Sequence, residues 1–300
     1  MGSRERRRGY LSIIVAAVLF GMWPSVAKLL LAGLHPLTIA LYVQIVPGLL
    51  FLLTLRGFRL PARDRPLLLA TAVLGGTLGP ISYLFGLERT TAVDAALLGN
   101  TEALFTILFG FALLGERINR PAYGAMAAIA LGAFMVTTEW RFGDVQFFTY
   151  IVGNLLLIAA AGFWALNGTG STVLLRRVRI LPLLTAQFLV GTAFMLPIAA
   201  VSGAPLIPSI GIVPGLVFLG LSGVAAFSVL YFHAFRTIGV MRTGSILSTS
   251  SIWGVLIALV LFPEQALGLW QVVGGALMIV ALIALYRFSE GPPSRHKPKR

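Results

Sequence analysis

Residues 83–117 read YLFGLERTTAVDAALLGNTEALFTILFGFALLGER, and residues 231–265 read YFHAFRTIGVMRTGSILSTSSIWGVLIALVLFPEQ. A shift of 148 positions lays one on the other without a gap. Tyr83 then meets Tyr231, Thr101 meets Thr249, Leu113 meets Leu261 and Glu116 meets Glu264, while Phe105 meets Trp253. Just upstream, Gly75 meets Gly223. The flanks agree at slightly shorter spacing: Gly21-Met-Trp23 matches Gly162-Phe-Trp164, and Pro36-Leu37 matches Pro182-Leu183. The chain reads as two copies of one unit.

The composition says what kind of unit. Of 300 residues, 58% are hydrophobic and only 11% charged, and apolar runs of roughly 17 to 23 residues recur, long enough to cross about 30 Å of hydrocarbon. No soluble core of this size needs so many. The expected fold is an all-α polytopic membrane protein, because an isolated span in lipid must satisfy its own backbone groups. Ten transmembrane helices are expected, near 11–32, 36–55, 66–87, 92–114, 121–137, 147–169, 181–201, 212–234, 240–262 and 266–286. The opening MGSRERRRGY resembles the start of a signal peptide, but the run after it is long, carries Lys28 and has a counterpart in the second half.

The net charge of +13 could suggest nucleic acid, and its distribution argues against that partner. Basic residues cluster at the N-terminus (Arg4, Arg6, Arg7, Arg8), in alternate connections (Arg56, Arg59, Arg63, Arg65; Arg117, Arg120; Arg176, Arg177, Arg179; Arg236, Arg242) and in the tail from Arg287. The intervening connections hold only Arg89 and Arg141, each beside acids. By the positive-inside rule both termini are cytoplasmic, and the expected location is the cell (inner) membrane. Five spans per half is an odd number, so the two halves enter the membrane from opposite sides as inverted repeats. The expected organisation is a basic N-terminus at 1–10, a first five-helix unit at 11–137, a second at 147–286 and a basic tail at 287–300. Inverted repeats are the architecture of secondary transporters, with substrate held between the halves near mid-membrane.

Small residues at Gly124, Ala128 and Gly132, and again at Gly274 and Gly275, permit close helix contact. They suit packing within one chain better than a homodimer face. The chain has no cysteine, which excludes disulfides and thiolate metal sites. It has no GxxxxGK[ST] loop, HExxH pair or Gly-x-Ser-x-Gly elbow, so neither an enzyme nor a nucleotide-driven motor is indicated, and no cofactor or metal is expected.

Ionisable residues inside spans are costly and therefore informative. Glu102 lies near mid-depth of the fourth span; it suits a substrate amine or a proton, or else a bond to a neighbouring hydroxyl that glues two helices. Lys28 can contact a substrate carboxylate, gate the path, or anchor the outer end by stretching to water. His233 is a packed neutral histidine or a proton relay. Of the mid-span aromatics Trp23, Tyr42, Tyr83, Trp164, Tyr231 and Trp253, the pairs Trp23/Trp164 and Tyr83/Tyr231 recur in both halves. They should face the axis as walls of a cavity. Small neutral groups (Asn100, Thr101, Asn167, Ser245, Ser248, Thr249, Ser250) can hold the ends of a zwitterion. Pro80, after Gly75, Gly76 and Gly79, should bend the third span. Trp140, Tyr150 and Tyr10 read as interfacial aromatics.

The segment ALLGNTEALFTILFGFALLGER, ending in Leu114-Gly115-Glu116, resembles the fourth span of EamA-type carriers in the drug/metabolite transporter superfamily. FGMWPSVAKLL, with Trp23 and Lys28, is similar to that family's first span. Departures are Ala103 after Glu102 where proline is frequent, Pro24 for glycine, no arginine early in the second span, and Ser250 and Pro263 where the second copy would carry glutamate and glycine. The resemblance implies ten helices around a central cavity bordered by the first, third, fourth, sixth, eighth and ninth spans. Within the family the YddG-like amino-acid exporters look nearest.

The expectation is a carrier exporting amino acids, aromatic and other apolar ones included, or similar small metabolites by alternating access. Trp23, Tyr83, Asn100, Glu102, Trp164, Tyr231, Ser248 and Thr249 would contact substrate, while Lys28, Pro80 and His233 would gate or couple. Alternatives are a drug, nucleobase or sugar-phosphate carrier, or a lipid-handling protein without transport. Several intramembrane cations would suit a phosphate, and the spans offer only Lys28.

Overall fold

The structure is a computed structural model that describes residues 3–115, 120–140, 147–238, 240–265 and 267–288. Glu116, Arg117, the connection with Arg141 and Asp144, and the tail beyond 288 lie outside the described residues, as do the side chains of Arg4, Arg236, Arg242, Ser245 and Arg287. Among the described residues every regular element is helical.

The first half contains Ser3–Leu31 (α1), Pro36–Leu50 (α2), Arg65–Val73 (α3), Gly79–Arg89 (α4), Ala92–Leu98 (α5), Thr101–Leu114 (α6) and Arg120–Thr138 (α7). The second contains Phe147–Leu174 (α8), Ile180–Val201 (α9), Val213–Gly220 (α10), Phe227–Ile238 (α11), Val240–Leu247 (α12), Ser250–Leu261 (α13) and Leu269–Phe288 (α14). Local chemistry sets several ends. Pro36 opens α2 behind His35, whose Nδ1 accepts the Leu37 amide at 3.2 Å. Thr91 caps α5 by accepting the Asp94 amide at 2.9 Å. Gly115 closes α6 in the left-handed conformation, φ +69°, which a glycine adopts without strain. At the matching place Pro263 stands one residue past Phe262, the C-cap of α13, and does the stopping instead.

Seven helical runs are long and apolar enough to cross a membrane, and three shorter apolar helices (Pro36–Leu50, Ser250–Leu261, Leu269–Leu285) accompany them. That differs from ten equal spans, and two of the three short helices have a visible cause. The second span stops at Leu50 and passes into a 3-10 turn at Leu52–Leu55. The ninth is interrupted at Ser248–Thr249, which leaves α13 only 12 residues.

Helix pairing between halves has a twofold pattern. The first span α1 packs on α11 and α13, and the sixth span α8 packs on α4 and α6. Exchanging halves turns one statement into the other. The pairs α2 with α9 and α7 with α14 are each their own image. The small-residue stripe is used here: a Cβ on Gly132 would meet the Gly274 carbonyl at 2.6 Å. Lipid tails are as apolar as leucine, so packing of this closeness holds helices together in place of a hydrophobic drive.

Candidate functional site

Two irregularities recur in each half at matching positions. The first is a widened, π-type turn at Leu74–Leu78 between α3 and α4, and at Leu221–Ala226 between α10 and α11. The second is a break in the helix at Gly99–Asn100 between α5 and α6, and at Ser248–Thr249 between α12 and α13. Interrupted helices near mid-membrane expose backbone groups only where they are buried in protein or line a cavity.

Each widened turn is the seat of the tryptophan from the other half. A Cβ on Gly223 would stand 2.0 Å from Trp23 Cδ1, and one on Gly79 would stand 2.5 Å from Trp164 Nε1. Asn167, one turn beyond Trp164, fills the space over Gly75 and donates to the Thr71 carbonyl at 2.7 Å. Trp164 Nε1 donates to the Gly75 carbonyl at 3.2 Å. Pro80 explains that bond. In the widened turn the Gly79 amide reaches back five residues to the Leu74 carbonyl. The next amide in that register would serve Gly75, but it belongs to Pro80, which has no proton to give. The indole takes its place. In the second half Ser228 stands where Pro80 stands and keeps its amide. Trp23 Nε1, buried against Gly223, has no hydrogen-bond partner among the described residues.

Tyr83 joins the two indoles. Its ring is edge-on to Trp23 at 4.7 Å and tilted against Trp164 at 5.3 Å. Trp23, Tyr83 and Trp164 thus form one aromatic column across the halves, and Trp23 and Tyr83 are buried. Tyr231 is not in that column. It stacks on Phe227 at 5.6 Å and meets Phe232 edge-on at 5.3 Å, in a cluster with Ile13 and Ala16. It does lie within electrostatic reach of Glu102.

At the breaks the two repeated threonines do the same local work. Thr101 Oγ1 donates to the Leu98 carbonyl at 2.6 Å, and Thr249 Oγ1 donates to the Ile246 carbonyl at 2.7 Å. Each hydroxyl satisfies a carbonyl beside its own break, so the Thr249 proton is already committed. Across the halves, Ser251 Oγ donates to Asn100 Oδ1 at 2.8 Å. The Asn100 amide nitrogen is buried without a partner among the described residues. Ser248 is buried next to the second break. Glu102 follows the first break by two residues, and its carboxylate receives no hydrogen bond from the described residues. The first span reaches the second break: a Cβ on Gly21 would meet the Ser250 carbonyl at 2.4 Å.

Lys28 is occupied elsewhere. Its Nζ donates to the carbonyls of Leu87 (2.6 Å), Glu88 (3.1 Å) and Thr90 (2.7 Å), at the end of α4 where helical carbonyls lack amides. Lys28→Met should therefore lower the stability of the protein by about 2 to 3 kcal/mol, the scale of charge-assisted bonds lost from a half-buried site. Thermal unfolding in detergent measures it, and a variant as stable as the parent would leave the lysine without this role.

The same end is tied across the halves by buried polar groups, of which Thr90, Asn154 and Gln271 were passed over by sequence reasoning. Thr90 Oγ1 lies 2.6 Å from Asn154 Oδ1 and 2.9 Å from Asp94 Oδ2, and Gln271 Nε2 donates to Asp94 Oδ1 at 2.7 Å. One hydroxyl proton cannot serve two acceptors, so the count closes with the Asn154 amide turned to donate. Amides inside apolar runs were the available signal. At the opposite, arginine-rich end, Arg177 pairs with both oxygens of Asp64. His233 is exposed there, beside Arg56 and Arg179.

Comparison with known proteins adds the following. A model of a family described as EamA-like transporters matches residues 7–138 and again residues 151–287. An uncharacterized transporter of Methanothermobacter thermautotrophicus is 29% identical, over 94% of this chain and 87% of that protein. The pseudopaline exporter CntI of Pseudomonas aeruginosa is 28% identical, over 95% of this chain and 98% of its own. A solved crystal structure 16% identical superposes with a TM-score of 0.64, over 97% of this chain and 99% of that one, and speaks to the fold alone.

Proposed function

The chain belongs to the EamA-like transporter family of multi-pass membrane proteins, and from that premise we propose that it exports amino acids through a central path by alternating access. In this reading residues 11–137 and 147–286 are inverted five-helix repeats that together make ten spans. Both termini, with the basic segments 1–10 and 287–300, face the cytoplasm across the inner membrane. The arginine-rich end is the cytoplasmic end.

One observation carries the substrate class: among the described residues three polar groups, one at the second widened turn and two at the first helix break, lack partners. Trp23 Nε1 and Asn100 Nδ2 are buried donors with nothing to donate to, and the Glu102 carboxylate is an acceptor with no donor. Two donors suit a carboxylate and the acidic group suits an amine, and a free amino acid carries both. Tyr83 and Trp164 form the wall that an apolar side chain would meet, with Tyr231 beyond Glu102. Ser248 and Thr249 offer oxygens at the matching break. Lys28, Pro80 and His233 act on the path rather than on substrate: Lys28 by holding the end of α4, Pro80 by keeping the indole seat open, His233 at the cytoplasmic mouth.

Counterflow in proteoliposomes tests this reading. Labelled amino acids, a nucleobase and a sugar phosphate are offered to vesicles preloaded with the unlabelled compound. Accumulation of amino acids, aromatic and apolar ones most, is expected. No accumulation of any amino acid by folded protein would overturn the reading. The relative named for pseudopaline export favours a second one, in which the cargo is another small metabolite. Amino acids would then fail to accumulate, while loaded vesicles would exchange a metabolite from a cell extract.

A further inference from the structure

A cleft lies at the arginine-rich end, apart from the aromatic column, with a volume of about 620 Å³. The end of the second span supplies Leu53 and Arg56, the start of α9 supplies Arg179 and Leu181, and α11 supplies Phe232 and His233. It is therefore built from both halves. Its polar side chains of consequence are two guanidiniums and an imidazole, and no carboxylate lines it. Arg56 and Arg179 form no ion pair with any described residue, whereas Arg177 nearby is held by Asp64. The remaining wall is apolar and turns outward, with Leu53 67% exposed.

Two unpaired arginines over an apolar, outward-facing wall at the end of the spans match an anionic phospholipid in charge and in shape. We propose that this cleft binds the phosphodiester of an anionic lipid such as phosphatidylglycerol. Arg56 and Arg179 hold the phosphate, His233 donates at its edge, and an acyl chain lies along Leu53 and Phe232. Guanidinium suits this work because its donors meet two phosphate oxygens at once. Because the second span and α9 come from different halves, a lipid seated here favours whichever arrangement of the halves keeps the arginines together. The site deepens the transport reading but does not depend on the identity of the cargo.

Native mass spectrometry of the purified full chain, titrated with phosphatidylglycerol against phosphatidylcholine, counts the lipids retained. Phosphatidylglycerol should be retained preferentially, and affinity should fall about fivefold for Arg56→Gln or Arg179→Gln and roughly thirtyfold for the double variant. Arg63→Gln with Arg176→Gln, the same charge removed from the same end outside the cleft, should change retention little. Leu181→Trp fills the cleft with both arginines intact and should also release the lipid, which keeps the test sound should the arginine variants misfold. Equal loss in the two arginine pairs would mean diffuse attraction and overturn the site, as would unchanged retention in Leu181→Trp. Displacement of the lipid by millimolar inorganic phosphate alone would make the cleft a soluble-anion site and overturn the lipid assignment.

Discussion

Glu102→Gln is expected to cut amino-acid counterflow by about tenfold to a hundredfold, the loss of one charge-assisted bond worth roughly 1.5 to 3 kcal/mol. The same variant should unfold at the same temperature as the parent or higher. The carboxyl group receives no hydrogen bond from the described residues, so the isosteric amide breaks no contact that holds the fold. The two readouts together separate the competing roles of this residue. If the glutamate glues helices, the variant melts lower and transport falls only as far as folding does. If it meets the amine, transport falls and stability does not. Counterflow unchanged in a folded Glu102→Gln would remove the residue from the substrate path.

The second large effect is steric. Gly223→Ala would set a methyl 2.0 Å from Trp23 Cδ1, and Gly75→Ala would set one 2.1 Å from Asn167 Nδ2. Neither neighbour can leave cheaply: the indole is buried against Tyr83, and Asn167 is bonded to the Thr71 carbonyl. Each substitution should cost about 1 to 3 kcal/mol, the range for overpacking a filled site. The three atoms nearest the new methyl at Gly223 belong to Trp23, so Trp23→Leu should recover part of the loss in Gly223→Ala. Thermal unfolding of the single and double variants measures both terms. Additive losses would mean that the indole does not rest on this glycine.

Most of the helix layout was legible because hydrocarbon permits so few backbone solutions. The edges expected for the fourth span, 92–114, match the observed limits of α5 and α6, and those for the seventh, 181–201, fall within one residue of α9. Periodicity could not show the breaks. ALLGNTEAL and SILSTSSIW remain apolar enough to pass for continuous helix, and only the placement of Thr101 and Thr249 over freed carbonyls reveals the interruption. The aromatic repeat was visible, yet its partners were not: Tyr83 joins both indoles, while Tyr231 lies in another cluster. A shift of 148 positions aligns residues within a fold but not the side chains that have since diverged around them. Lys28 shows the same limit. Its charge marked it as a candidate for substrate, and its three carbonyl partners are a matter of which helix end happens to stop beside it.

The pair Pro80 and Ser228 has an energetic meaning. A carrier made of two identical inverted halves would rest equally often facing in and facing out, since each half would simply adopt the other's shape. Here one tryptophan is latched by a carbonyl that a proline leaves vacant, and the other sits unlatched beside a residue that serves its own backbone. Asn167 adds a second latch on the same side, where Val26 has nothing to offer. Under the alternating access proposed above, the copies would be unequal springs, and an empty carrier would spend unequal time in its two orientations.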